Sequence, residues 1–226
     1  MHQDPSEQFA PNPDFDADIH QVLADPNFSE ASRQRMRKKI RDARDASLKH
    51  GTAQADADAR HIFREFLPAK ELNGHGFHLE YSENIDGRTP DWYDRDNNLL
   101  LEVFTCERGG TSDPVQRVAS TIVKKVEKYR GVVENALLFF VVAVYGDFLI
   151  PFIDEDCRQA IDEGHLFDRH TELSGVIFFA ESNFRNIQPI DGPSKLRRKQ
   201  MYQFTYFDNP NATRKINLAM NLAPHP

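Results

Sequence analysis

Arg88-Thr89-Pro90-Asp91-Trp92-Tyr93-Asp94-Arg95-Asp96-Asn97-Asn98-Leu99-Leu100-Leu101-Glu102-Val103-Phe104-Thr105 is the stretch on which the fold reading turns. Residues 89–93 read as extended chain, residues 94–98 as a tight polar turn, and residues 99–105 as a mostly apolar strand. If the turn centres on Asp96-Asn97, residues equally far from that centre meet across an antiparallel pair. Asp91 and Glu102 satisfy that condition, so both carboxylates are expected on one face. A glutamate in the middle of an apolar strand is disfavoured unless it is paired or bound to a cation.

The flanking sequence extends this hairpin into a sheet. Phe77-His78-Leu79-Glu80-Tyr81 alternates as a strand does, and Asn84-Ile85-Asp86-Gly87 is turn chemistry, so three strands form an antiparallel meander. Downstream, Ser112 or Asp113 caps a helix with Pro114 in its first turn, running to about residue 133. Residues 136–145 (ALLFFVVAVY) form an apolar run of strand length, expected to be buried on both faces. A helix over 154–163 and a second buried strand over 173–180 follow. Upstream, Ser29 caps a basic helix that ends at Gly51, and a further helix starts at Thr52 or Gln54 and runs to about Asn73, with Pro68 expected to kink or split it. The predicted class is α/β (α+β): a mixed central sheet containing the antiparallel meander, flanked by helices, with a right-handed crossover. The expected divisions are a disordered tail over 1–17, a basic helical segment over 18–51, a core over 52–182, and a C-terminal extension over 183–226. That extension carries a basic knot, Lys195-Leu196-Arg197-Arg198-Lys199, then one aromatic strand and a tail.

The 226 residues fit one large domain, long enough to bury a core without disulfide or metal staples. The 28 Lys and Arg against 35 Asp and Glu give a formal charge of −7, which excludes coating of nucleic acid by bulk charge but not a local basic site. No apolar run reaches membrane-spanning length, and the acidic, Pro-rich N-terminus has no secretory pattern. Cys106 and Cys157 show no metal-ligand spacing and suit free thiols in a reducing, cytoplasmic setting. Dinucleotide, P-loop, α/β-hydrolase and zincin motifs do not occur.

Asp91 and Glu102 would repel each other without a cation. Mg²⁺, with Mn²⁺ as a substitute, would take one oxygen from each, a third from the Val103 carbonyl, and water in the remaining positions. Pro90-Asp91, ten residues, then Glu102-Val103-Phe104 resembles the PD-(D/E)XK nuclease superfamily, whose core is the fold of restriction endonucleases. The resemblance covers residues 58–145 and implies a helix, three antiparallel strands, a helix and a strand. It also implies a lysine two residues after the glutamate, where this chain has Phe104. On a helical wheel of the following helix, Lys125 lies about 70° from the centre of the apolar face, against about 170° for Lys124 and 130° for Lys128. Lys125 is therefore the expected migrated lysine. Some members carry a further acid on the preceding helix; Glu65 fits that place, and Glu80 is a weaker candidate.

The resemblance implies a metal-dependent nuclease acting on nucleic acid, foremost DNA, with Asp91, Glu102, Lys125 and Glu65 as its chemistry. Arg35, Lys38 and Lys39 on the basic helix, Gln116, and Arg197 and Arg198 are the expected nucleic-acid contacts. The alternative is an inactive module of the same fold that binds nucleic acid or a protein, favoured by Phe104 in the lysine slot. A third reading makes Asp91 and Glu102 merely structural in a small-molecule enzyme or scaffold. No membrane partner is expected, and homodimerisation is left open.

Overall fold

The computed structural model of the protein describes residues 8–106, 113–146, 154–181, 186–189, 196–199 and 202–218. Three helices come first: α1 (Pro13–Leu23), α2 (Glu30–Leu48) and α3 (Thr52–Gly74). Strands β1 (Glu80–Tyr81), β2 (Trp92–Asp94) and β3 (Leu99–Cys106) follow. Next are α4 (Pro114–Ala136), β4 (Phe139–Gly146), α5 (Asp154–Glu163), the short α6 (Leu166–Arg169) and β5 (Gly175–Glu181). Strands β6 (Asn186–Pro189) and β7 (Leu196–Lys199) pair with each other, and β8 (Tyr202–Asp208) ends the series. The main sheet has the order β1-β2-β3-β4-β5-β8. β3, β4 and β5 are parallel neighbours, and the remaining pairs are antiparallel. The fold is α/β with a mixed sheet, and its first three strands are the expected meander.

Side-chain alternation assigns each strand residue to one of two cores. Leu99, Leu101, Val103, Val141, Ala143 and Tyr145 point toward α1, α2 and α3, where they meet Phe15, Met36, Phe63 and Phe66. Leu100, Phe140, Val142 and Val144 point the other way, onto Val118, Ile122, Val126 and Tyr129 of α4 and Cys157 and Ala160 of α5. Both cysteines are buried, and neither is in a disulfide. Local chemistry fixes the helix starts: the Ser29 side chain accepts from the Ser32 N–H, and Asp113 accepts from the Val115 N–H ahead of Pro114. Pro68 does not split α3 into two elements. It is buried within a continuous helix whose apolar face holds it against the sheet, outweighing the one missing backbone bond. Among the described residues, no helix is long and apolar enough to cross a membrane.

Three expectations need correction. The first is the disordered tail over 1–17. From Phe9 onward the chain is built into the core, and α1 starts at Pro13 rather than Asp18. The cause is Asp16, whose Oδ1 accepts from the Phe9 and Ala10 N–H groups at 2.6 and 3.0 Å, turning acidic composition into a backbone clamp. Residues 1–7 lie outside the described residues. The second concerns the strand over 77–81, which shrinks to two residues because the His78 and Leu79 N–H groups go to Asp94 Oδ2 and Asn73 Oδ1 instead of a ladder. The third is the division into separate segments. Phe9 and Leu218 belong to the same hydrophobic cluster as the sheet, and β8 closes one sheet edge against β5, so N-terminal helices and C-terminal strand share the core.

If residues 9–15 are core, Phe9→Ala should cost about 3 kcal/mol, the usual loss for a buried phenylalanine, read as a lower urea midpoint. An unchanged midpoint would return this segment to the status of a tail.

Candidate active site

The β2–β3 hairpin sets the geometry. Trp92 pairs with Leu101, Tyr93 with Leu100, and Asp94 with Leu99. The turn between them is held by buried Asp94, which accepts from the Asn97 N–H at 3.0 Å and from its side-chain amide at 2.7 Å, while Asn98 takes a left-handed conformation suited to asparagine. Continuing this register places Asp91 opposite Glu102 and Pro90 opposite Val103. Proline has no N–H, so Pro90 cannot donate to the Val103 carbonyl and the ladder stops. The Val103 N–H instead donates to Asp91 Oδ2 at 2.8 Å, and the Asp91 N–H donates to Glu102 Oε1 at 3.2 Å. An extended residue aims its N–H and C=O to the same edge. The Val103 carbonyl therefore faces the side on which Asp91 lies.

Glu102 is only 1% exposed, and its other oxygen, Oε2, meets Lys125 Nζ of α4 at 2.5 Å. The helical wheel thus picked out the lysine that reaches the sheet. Lys124 and Lys128 are exposed, and Lys128 lies over the Tyr129 ring. Burial works against the Lys125 charge, but Glu102, Asp91 and Glu65 together hold its ammonium above the ordinary lysine range. Phe104, in the slot where the resemblance implies lysine, is half-buried against the α4-side core.

Glu65 joins from α3. Its Oε2 accepts from the Tyr81 hydroxyl at 3.2 Å and meets Lys39 Nζ of α2 at 2.5 Å, while its backbone carbonyl accepts from the Trp92 indole at 2.8 Å. Burial first, then the charges of Glu102 and Glu65, push the Asp91 carboxyl up to about 7, against the opposing pull of Lys125 and the Val103 N–H. The Tyr129 hydroxyl donates to the Thr89 carbonyl at 3.1 Å and braces the chain just before Pro90-Asp91. Burial, with Glu102 and Asp91 beside it, keeps the Tyr129 phenol far above its ordinary pKa, so it stays a neutral donor.

The other expected contacts divide. Glu80 is structural: Ser29 Oγ and Ser32 Oγ donate to its Oε2 at 2.6 and 2.5 Å, with Arg35 at 3.7 Å, fastening α2 to β1. Lys38 forms an exposed pair with Asp42. Gln116 is exposed and lies nine residues before Lys125, about 180° around α4, so it does not share the site's face. Arg197 and Arg198 stand in β7 opposite Gln188 and Ile187, and their side chains lie outside the described residues. Tyr81 and Tyr129 are the residues that sequence reasoning missed, and Lys39, expected as a nucleic-acid contact, meets Glu65 instead of standing apart from the carboxylates. Only Tyr129 had a signal, four residues after Lys125 on the same helix.

Among the described residues, no group of three or more His, Cys, Asp or Glu is arranged to hold a metal ion. The donor set still suits Mg²⁺, which takes one or two carboxylates and keeps several waters. Asp91 and Glu102 supply hard oxygens on one face of the hairpin, each with an oxygen fixed by a backbone N–H. No protein-family model, curated protein or solved structure matches the chain.

Two outcomes follow from the charges. A carboxyl whose folded pKa is raised holds its proton more tightly when folded. Its stabilising contribution is full below the ordinary aspartate value of 3.8 and is lost as pH rises through about 7. Asp91→Asn should therefore gain stability over wild type as pH climbs from 4 to 8, measured as the difference in urea midpoints. A pH-independent difference would refute the raised pKa. Lys125→Met leaves Glu102 buried without its cation and should cost about 3 kcal/mol in the same assay.

Proposed function

We propose that the chain is a divalent-metal-dependent nuclease that hydrolyses phosphodiester bonds in DNA. In this reading Asp91, Glu102 and the Val103 carbonyl hold Mg²⁺, or Mn²⁺ in its place. The observation that carries the reading is the opposed pair Asp91 and Glu102 at the point where Pro90 ends the ladder, with Lys125 on Glu102. The ion supplies Lewis-acid polarisation of phosphate and a lowered pKa for water. The protein's own groups do the positioning. The Val103 N–H fixes one Asp91 oxygen, and the Asp91 N–H fixes one of Glu102. Lys125 brings the positive charge that Phe104 cannot, close to where charge grows on the phosphate. Glu65 adds a third carboxylate from α3, held in place by Tyr81.

A specific observation favours a second reading. Both Glu102 oxygens are already engaged, one by the Asp91 N–H and one by Lys125, as in a structural ion pair. A catalytically silent module that binds nucleic acid or a protein would tolerate Phe104 for the same reason.

Incubation of the purified chain with supercoiled plasmid, linear duplex, single-stranded DNA and RNA, in Mg²⁺, Mn²⁺ or EDTA, separates these readings. The nuclease reading expects cleavage of DNA that EDTA stops. Asp91→Asn and Glu102→Gln should each lower the rate at least 100-fold, the order expected for losing a metal ligand or transition-state contact. Binding without cleavage by wild type would establish the silent module.

A further inference from the structure

Three carboxylates, Glu65, Asp91 and Glu102, meet two ammonium groups, Lys39 and Lys125, at this site. When all are ionised, one negative charge is left over. A divalent ion would convert that into one positive charge, the complement of a single phosphodiester. The two lysines are placed alike, each on a carboxylate whose charge acts on Asp91. Lys125 reaches Glu102 from α4, and Lys39 reaches Glu65 from α2, both at 2.5 Å. They differ in access: the Lys39 side chain is 37% exposed against 14% for Glu65, while Lys125 is 24% exposed against 1% for Glu102.

The position of Lys39 is held from below and from the side. Met36 and Ile40, its neighbours on α2, are fully buried. Ser32 and Arg35, at helical spacing from Lys39 on the same face, are tied to Glu80 of β1. Lys39 Nζ also lies 5.4 Å from the centre of the Tyr81 ring, which presents its hydroxyl to Glu65. A lysine used only to neutralise Glu65 needs none of this access. A flexible ammonium more exposed than the carboxylate it pairs with, beside a site short of one positive charge, suits exchange between that carboxylate and an incoming anion.

Resting on the nuclease reading, we propose that Lys39 is a second phosphate-binding lysine of the site, held on Glu65 in the resting protein and transferred to a non-bridging oxygen of the substrate backbone. The exchange makes and breaks no covalent bond. It brings α2 into the substrate site and gives Glu65 the role of keeping Lys39 in waiting.

The test uses the full chain and a fluorescein-labelled DNA duplex of about twenty base pairs. Binding is followed by anisotropy in EDTA, and again in Ca²⁺ without turnover, over a range of salt. Lys39→Met should weaken binding about 10-fold and lower the slope of log K against log salt by about one, the signature of one lost phosphate contact. Lys39→Arg should restore both. Glu65→Gln should tighten binding in EDTA in the wild-type background, by freeing Lys39, but not in the Lys39→Met background. The Lys39→Met/Glu65→Gln double variant removes both charges of the pair. It guards against misfolding and should keep the reduced slope. An unchanged slope in both the single and double variants, with wild type still binding and cleaving, overturns the assignment of Lys39 and leaves the nuclease reading intact. Failure of wild type to bind duplex at all overturns both. Binding without cleavage, with the slope lowered in Lys39→Met, keeps Lys39 as a phosphate contact and removes the nuclease.

Discussion

The absence of an N–H on Pro90 is the constraint from which the site follows. The β2–β3 register places Pro90 opposite Val103, and a proline there cannot complete the pair of bonds that the next ladder rung requires. The strands therefore separate just before Trp92. The Val103 N–H turns to the Asp91 carboxylate, the Asp91 N–H turns to Glu102, and two acids are held face to face by the backbone itself. With an ordinary residue at 90 its N–H could take the Val103 carbonyl into the ladder; proline leaves that carbonyl without this donor.

That arrangement is costly in charge, and the surrounding helices are placed to meet the cost. Glu102 lies where an apolar residue would normally sit, between Leu100 and the half-buried Phe104 on one face of β3. Its burial is tolerable because α4, packed by Ile122, Val126 and Tyr129, holds Lys125 at its edge. On the other side, α2 is fastened to β1 through Glu80 and so delivers Lys39 to Glu65. Burial, with the charges of Glu102 and Glu65, pushes the Asp91 carboxyl up to about 7 even against the pull of Lys125.

How far the sequence foretold this depends on how local the signal was. The turn chemistry of residues 94–98 was enough to set Asp91 against Glu102, because a hairpin's register is determined within a few residues of its turn. Lys125 was recoverable because a helix with a clear apolar face has a calculable edge. The N-terminal segment misled, since an acidic, proline-bearing stretch resembles a solvated tail until Asp16 is seen clamping the Phe9 and Ala10 amides. Of the kink or split that local propensity predicted at Pro68, the split does not occur, because tertiary burial holds the helix together across the proline. The meeting of Lys39, Glu65 and Tyr81 joins three elements far apart in sequence, and nothing in the periodicity of any one of them points to the others.

The single cluster that contains both Phe9 and Leu218 bears on how the chain reaches this state. Contacts such as that between α1 and β7 raise the contact order, so the closure entropy of a very long loop must be met before the helix-side core can be sealed. The hairpin that aligns Asp91 with Glu102 has no such requirement and can zip locally. The acidic pair should thus be in register early, and α4, whose Lys125 pairs with Glu102, follows it directly in the chain, while the core on the opposite face waits for the C-terminal residues. During synthesis on the ribosome, the nascent chain would carry the helix-facing side of its sheet incompletely covered until the C-terminal residues of that core had emerged.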